Sequence, residues 1–214
     1  WWATIGGMGL TGIIIDATFR LIPIETGHFL VDTERVPNLD VLLERMEDGD
    51  HQYRYSVAWI DLVATGTSLV RSVLSLGNHA TLGELRSYEP KAALDPLAFD
   101  PPVLPDVPVG MPNVLNRAAV RAFNEFWYRK TPREHHGIES ITAFFHPLDM
   151  VGQWNRLYGR GGFLQYQFVV PFEADAVLRT VIERLSAAAL PIFLTVLKRF
   201  GPGNPGYLSF PTGG

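Results

Sequence analysis

The chain has 214 residues, of which 47% are hydrophobic and 19% charged, with a formal net charge of −4 and no cysteine. This composition suits a globular protein of one large domain or one and a half small ones, and the acidic balance, with no basic stripe, argues against general nucleic-acid binding. Absence of cysteine excludes disulfides, thiolate metal sites and a cysteine nucleophile within this span, and no apolar run approaches the roughly 18 residues of a membrane-spanning helix.

In chain order, WWATIGGMGLTGIIIDATFRL comes first and places Gly6, Gly7, Gly9 and Gly12 ahead of Ile13, Ile14 and Ile15. Glycines this dense let backbone approach a ligand closely or adopt positive φ. The spacing Gly7-x-Gly9-x-x-Gly12 matches a dinucleotide fingerprint, but that motif must open a helix. Three β-branched residues follow instead, so residues 11–23 read as a strand of a mostly buried sheet. Residues 26–31 read as a second short strand. Residues 36–48 predict an amphipathic helix, since Leu39, Leu42, Leu43 and Met46 recur at helical spacing behind Pro37 and Asn38.

Residues 53–62 alternate, with Tyr53, Tyr55, Val57 and Trp59 on one side and Arg54, Ser56 and Ala58 on the other. Seven of the sixteen prolines fall between Pro90 and Pro112, which predicts an extended surface connection. Residues 113–129 resume as a helix with Leu115, Ala118, Ala119, Ala122, Phe123 and Phe126 as its apolar stripe. Residues 129–137 read as a charged loop, 138–146 as a strand ended by Pro147, and 149–158 as a short helix. A strand over 163–170, a helix over 175–188 with Leu178, Val181, Ile182 and Leu185 inward, and a strand over 191–200 complete the reading. The class expected is α+β: an antiparallel sheet with helices packed on one side. The sequence opens on Trp-Trp and stops at Gly-Gly, and is read as an internal fragment of a longer protein.

Two strand patterns are anomalous. Gln165 and Gln167 share one face of FLQYQFVV, and Lys198 shares a face with Ile192, Leu194, Val196 and Phe200 in IFLTVLKRF. A lysine on a fully buried apolar face would carry a heavy desolvation cost. Either the lysine snorkels from a strand end and the glutamines are solvated, or these residues line an apolar pocket holding a few amides and one cation. Such a pocket suits an anionic or hydroxyl-rich ligand. Among the histidines, His28, His51, His79, His135 and His136 sit singly or in polar loops and His146 precedes Pro147; none has metal-ligand spacing. There is no Gly-x-Ser-x-Gly elbow and no P-loop.

Trp2, Gly6, Gly7, Gly9, Gly12, Ile13, Thr18, Arg20 and Leu21 resemble the closing strand of the flavin domain in the vanillyl-alcohol-oxidase superfamily of FAD enzymes. That resemblance implies FAD as cofactor, with Gly7, Gly9, Gly12 and the main chain of Ile13 against it. Residues 1–23 would then close the FAD-binding domain, and 24–214 would form a substrate-binding domain incomplete at its C-terminus. The runs HPLDMVGQWNRLYGRGGFLQYQFVVP and FLTVLKRFGPGNPGYLSFP, with YSVAWID around Trp59, are similar to the decaprenylphosphoryl-β-D-ribose 2-oxidase family. These are flavin subunits of an actinobacterial arabinan epimerase. Likeness extends along essentially the whole chain and is weakest over 63–112.

The resemblance implies that Trp59, Phe145, Leu148, Gly152, Arg156, Gln165, Gln167, Leu194, Val196, Lys198 and Phe200 line the pocket for a polyprenyl-phosphate sugar. Phe145 stands where mycobacterial members carry tyrosine, which removes one hydroxyl from the pocket. The implied reaction takes hydride from C2 of the ribose to FAD, and a partner NADH-dependent keto-reductase completes the epimerisation for cell-wall arabinan. No catalytic acid or base and no metal ligand is expected within this span. A lipid-linked substrate implies work at a membrane surface, with neither side specified. A sugar-lactone or alditol oxidase of the same superfamily, or a non-catalytic sugar-lipid binding domain, are the alternative readings.

Overall fold

The computed structural model describes residues 1–99, 104–110, 115–188 and 190–206. The chain divides into two compact units. The larger comprises Ile24–Gln165 and Ile182–Lys198; the smaller comprises Trp1–Pro23, Tyr166–Val181 and the described residues from Arg199 onward.

The larger unit is built on a four-stranded antiparallel sheet. Strands β1 (His28–Val36), β2 (Tyr55–Ile60), β3 (Ser72–His79) and β4 (Glu134–Ser140) lie in the order β2-β3-β1-β4. The α+β expectation therefore holds. Register pairs Phe29 with His79 and Glu139, and Val31 with Gly77 and Gly137. One face thus carries Phe29, Val31, His79, Tyr55, Val57, Trp59 and Glu139, and the other carries Asp32, Val36, Leu74, Leu76, Ala58, Ile60 and His136.

Helix α1 (Leu39–Gly49) is capped by Asn38, whose side chain accepts from the Val41 amide at 3.1 Å. It buries Leu39, Leu42 and Met46, and Gly49 lets it settle on Leu76, whose Cδ1 would stand 3.1 Å from a Cβ there. On the opposite face sits the short α4 (Ile141–Phe145). Phe144 from α4 stacks on Phe29 at 5.0 Å with rings 11° apart. Gly77 makes room for this stacking, since a Cβ at that position would lie 3.1 Å from the Phe144 ring.

The remaining helices are α2 (Leu82–Tyr88), closed by a Thr81–Glu84 capping box, α3 (Arg117–Lys130), capped by Asn116, and α5 (Asp175–Ala187). A buried polar cluster ties α3 to the end of β2. Asp61 accepts from the amides of Val63 and Ala64, from Arg71 Nε at 2.9 Å and from Asn124 Nδ2 at 2.7 Å, while Arg71 also pairs with Glu125 at 2.7 Å.

Several expectations are corrected. The predicted strand over 138–146 ends at Ser140, whose side chain accepts from the Ala143 amide at 3.2 Å and starts α4 instead. Part of the charged loop is β4, paired to β1 from Glu134 onward. The helix over 149–158 is replaced by 3-10 turns over Pro147–Met150 and Trp154–Gly161. Helix α3 buries Val120 and Asn124, so its predicted stripe through Ala118, Ala119, Ala122, Phe123 and Phe126 faces outward. Asn124 turns inward because it has Asp61 as a buried partner. Residues 11–23, 163–170 and 191–200 form no strand in the described structure, apart from an isolated bridge at Val196. A strand exists only where a neighbour accepts its hydrogen bonds, and these segments find no ladder among the described residues. β3 and α2 arise where the sequence pattern was mute.

Candidate functional site

The aromatic face of the sheet is the place where predicted substrate residues converge. Phe29, Tyr55, Phe144 and Phe145 form a close cluster: Phe145 meets Phe29 edge-on at 5.3 Å and Tyr55 at 5.2 Å. Trp59 lies on the same face of β2, an edge strand. On the free side of β2, Val196 forms an antiparallel bridge with Trp59, so the two residues share a face. Backbone pairing thus sets Trp59 and Val196 on this face, and ring contacts with Phe29 and Tyr55 bring Phe145 to it.

His79 and Glu139 also lie on that surface. The His79 ring lies 4.4 Å from Phe29 and its Nε2 is 3.4 Å from the Tyr55 hydroxyl. Burial, aided by the Arg54 charge, holds the imidazole below its ordinary range. Glu139, opposite Phe29 in the ladder, is raised by burial against a smaller opposing effect of His135. Neither residue stood out in the sequence, because their approach depends on strand register.

Gly152 and Arg156 are gathered elsewhere in the unit. Residues 104–107 run beside 150–152, with the Leu104 amide donating to the Met150 carbonyl at 2.7 Å and the Val107 amide to Gly152 at 2.9 Å. Arg156 Nη1 donates to the Val107 carbonyl at 2.8 Å. A Cβ on Gly152 would fall 1.8 Å from Asp106 Oδ1, so only glycine permits this approach as it stands. Next to it Gln153 takes a left-handed conformation at φ 55° that disfavours a side-chain-bearing residue. The side chain of Leu148 lies outside the described residues; its backbone belongs to the turn over Pro147–Met150.

Gln165, Lys198 and Leu194 are exposed in the larger unit. Gln167 is exposed and Phe200 half-buried in the smaller one. Also in the smaller unit, Gly9 and Gly12 hold φ +77° and +140° with open space where a side chain would begin, and Ile13 is 93% exposed. Gly7 is packed differently, since a Cβ there would stand 2.5 Å from the Ala3 carbonyl.

The opposite sheet face bears an open cleft of about 490 Å³ lined by Asp32, Glu34, Arg45, Tyr53, His135 and His136, and by none of the predicted site residues. There the Tyr53 hydroxyl donates to Asp32 Oδ2 at 2.6 Å, and His136 Nδ1 lies 2.6 Å from Asp32 Oδ1. The hydrogen bond to Asp32, then burial and the charges of Asp32 and Glu34, push the Tyr53 phenol up to about 12. No group of three or more His, Cys, Asp or Glu among the described residues is placed to hold a metal ion.

The class defined by these features is an α+β domain whose antiparallel sheet presents one aromatic face. The chain is homologous over its whole length to part of an oxidase. It is 44% identical, over 215 aligned residues covering 100% of this chain and 46% of the relative, to the decaprenylphosphoryl-β-D-ribose oxidase of Mycolicibacterium smegmatis. It is 33% identical over 222 residues to an uncharacterized protein in the mprA 5′ region of Streptomyces coelicolor, covering 99% of this chain and 59% of that protein. The chain thus spans about half the length of the curated relatives it matches. No protein-family model matches it.

Proposed function

We propose that this chain is part of an FAD-dependent member of the decaprenylphosphoryl-β-D-ribose 2-oxidase family, which oxidises C2 of the lipid-linked ribose to a keto group. The observation that carries this reading is the 44% identity to an oxidase of that name along the entire chain. The keto sugar would then pass to an NADH-dependent keto-reductase, which completes the conversion to the arabinose donor for cell-wall arabinan. The lipid-linked substrate implies a peripheral position at the membrane; no helix among the described residues is long and apolar enough to cross one.

In this reading residues 1–23 belong to the flavin domain and 24–214 to the substrate domain. A passage between compact units after Pro23 agrees with the first boundary, while Tyr166–Val181 and the described residues from Arg199 onward group with residues 1–23. The open positive-φ backbone at Gly9 and Gly12 suits a large flat cofactor approaching closely. Gly7, Gly9, Gly12 and the main chain of Ile13 would hold the flavin, which when bound supplies the oxidising power by accepting hydride from the sugar. The protein's own share is orientation and exclusion of water. Trp59, Phe145, Leu194 and Val196 supply an apolar wall in the larger unit; Leu148 and Phe200 are assigned to the same substrate by the family resemblance alone. Lys198 supplies a point charge for the phosphate, and Gln165 and Gln167 both donate to and accept from sugar hydroxyls. Gly152 and Arg156, held by hydrogen bonds to the Val107 main chain, are assigned to the substrate by the family resemblance.

The test is Lys198→Ala in the full-length protein. Loss of a charge-assisted contact should lower kcat/KM by about 10- to 100-fold, with flavin absorbance unchanged. Turnover equal to wild type refutes the role of Lys198. The oxidase reading itself requires that decaprenylphosphoryl-ribose bleach the flavin band while free alditols and lactones do not.

A further inference from the structure

Helix α3 has two opposed faces. Its inner face is set by Val120 and Asn124, each 1% exposed, and by the Tyr128 hydroxyl, which donates to the Val36 carbonyl at 3.5 Å. Its outer face is apolar, where an ordinary surface helix is polar. Ala119, Ala122, Phe123 and Phe126 recur at i, i+3, i+4 and i+7. Phe126 is 60% exposed, and Trp127 stacks on the half-exposed Phe123 at 5.9 Å.

The flanks of this stripe are cationic. From Arg117 to Arg133 the sequence holds five basic residues (Arg117, Arg121, Arg129, Lys130 and Arg133) against one acid, Glu125, within a chain of net charge −4. Glu125 is already engaged by Arg71 at 2.7 Å and by Arg129. The Lys130 ammonium lies 6.0 Å from the Phe126 ring and 5.7 Å from Trp127. The charge thus lies over the aromatic stripe, on a flexible four-carbon stem that can carry it to the headgroup level.

We propose that the outer face of α3 docks on an anionic lipid bilayer. Exposed Phe and Trp bordered by Lys and Arg is the composition that lies in the plane of a membrane interface. The local excess of four positive charges gives the complementarity that anionic headgroups reward. A protein occupant fits less well, because the cores of protein interfaces are depleted of the lysine that here hangs over the aromatic stripe. The proposal deepens the peripheral membrane position of the oxidase reading by naming the surface responsible, and it fails separately from that reading because membrane binding is measured without substrate or turnover.

The test uses the full-length, flavin-loaded protein sedimented with phosphatidylcholine vesicles, with or without phosphatidylglycerol. Binding is expected only to the anionic vesicles. Lys130→Gln should weaken it about fivefold and Phe126→Asp by about tenfold or more, with the flavin spectrum unchanged. Hydrogen exchange of wild-type residues 117–130 should slow when anionic vesicles are added, while β3 keeps its rates; this readout stands even where a variant folds poorly. The proposal is overturned by absence of vesicle binding, by equal binding of well-folded variants, or by residues 117–130 showing the same exchange rates with and without anionic vesicles. The last result would mean that another part of the protein or a protein partner covers the face.

Discussion

The glycine-rich opening segment and strand β1 are both apolar, yet they end in opposite situations. Phe29 and Val31 are at most 1% exposed, whereas Ile13 and Ile15 are 93% and 95% exposed. The difference lies in neighbours rather than in residue type. Each residue of β1 from Phe29 to Glu34 is paired on both sides, by β3 and by β4, and aromatic rings close over it. Residues 11–23 have no ladder partner among the described residues. Hydrophobicity supplies a tendency to be covered, and only a partner of the right geometry converts it into structure.

The sharpest way to break this comparison is to hollow out the covered region. Phe29→Ala removes a ring stacked against Phe144 and should cost about 3–5 kcal/mol in urea unfolding. Asp61→Ala leaves Asn124 and two loop amides without their acceptor, while Arg71 keeps Glu125; an order of 3 kcal/mol is expected from the same measurement. Asn38→Ala removes one helix cap from α1 and should cost about 1 kcal/mol.

A titration examines the polar side of the same sheet. The Tyr53 phenol ionises near 12, above the roughly 10 of a free tyrosine. Because the folded value is the higher one, its contribution to stability is complete below about pH 10 and is lost as pH climbs toward 12. Phenolate absorbance should show this late transition, and Asp32→Asn should move it back toward the ordinary value. The smallest effect belongs to the uncovered region: Ile13→Ala should change the stability of the chain by no more than about 0.5 kcal/mol. A large loss there would show that the segment is covered in solution.

Much of the scaffold was legible because periodicity reports which side of an element is dry. Leu39, Leu42 and Met46 announced α1, and alternation through Trp59 announced β2. The convergence of Trp59 with Val196 was not legible, since it depends on a bridge between residues 137 positions apart in sequence. The face of α3 was misjudged for a related reason. Phe123 and Phe126 look like core by composition, but the buried position goes to Asn124, whose partner Asp61 lies 63 residues earlier.

By itself the sequence determined the α+β class, the helical character of residues 39–48 and the likeness to an oxidase, because these follow from local spacing and residue identity. Tertiary structure alone decided that Ser72–His79 is an inner strand, that Ser140 turns the chain into α4, and which aromatic rings meet over Gly77. Those outcomes rest on hydrogen-bond partners and close approaches between distant residues, which no local pattern encodes.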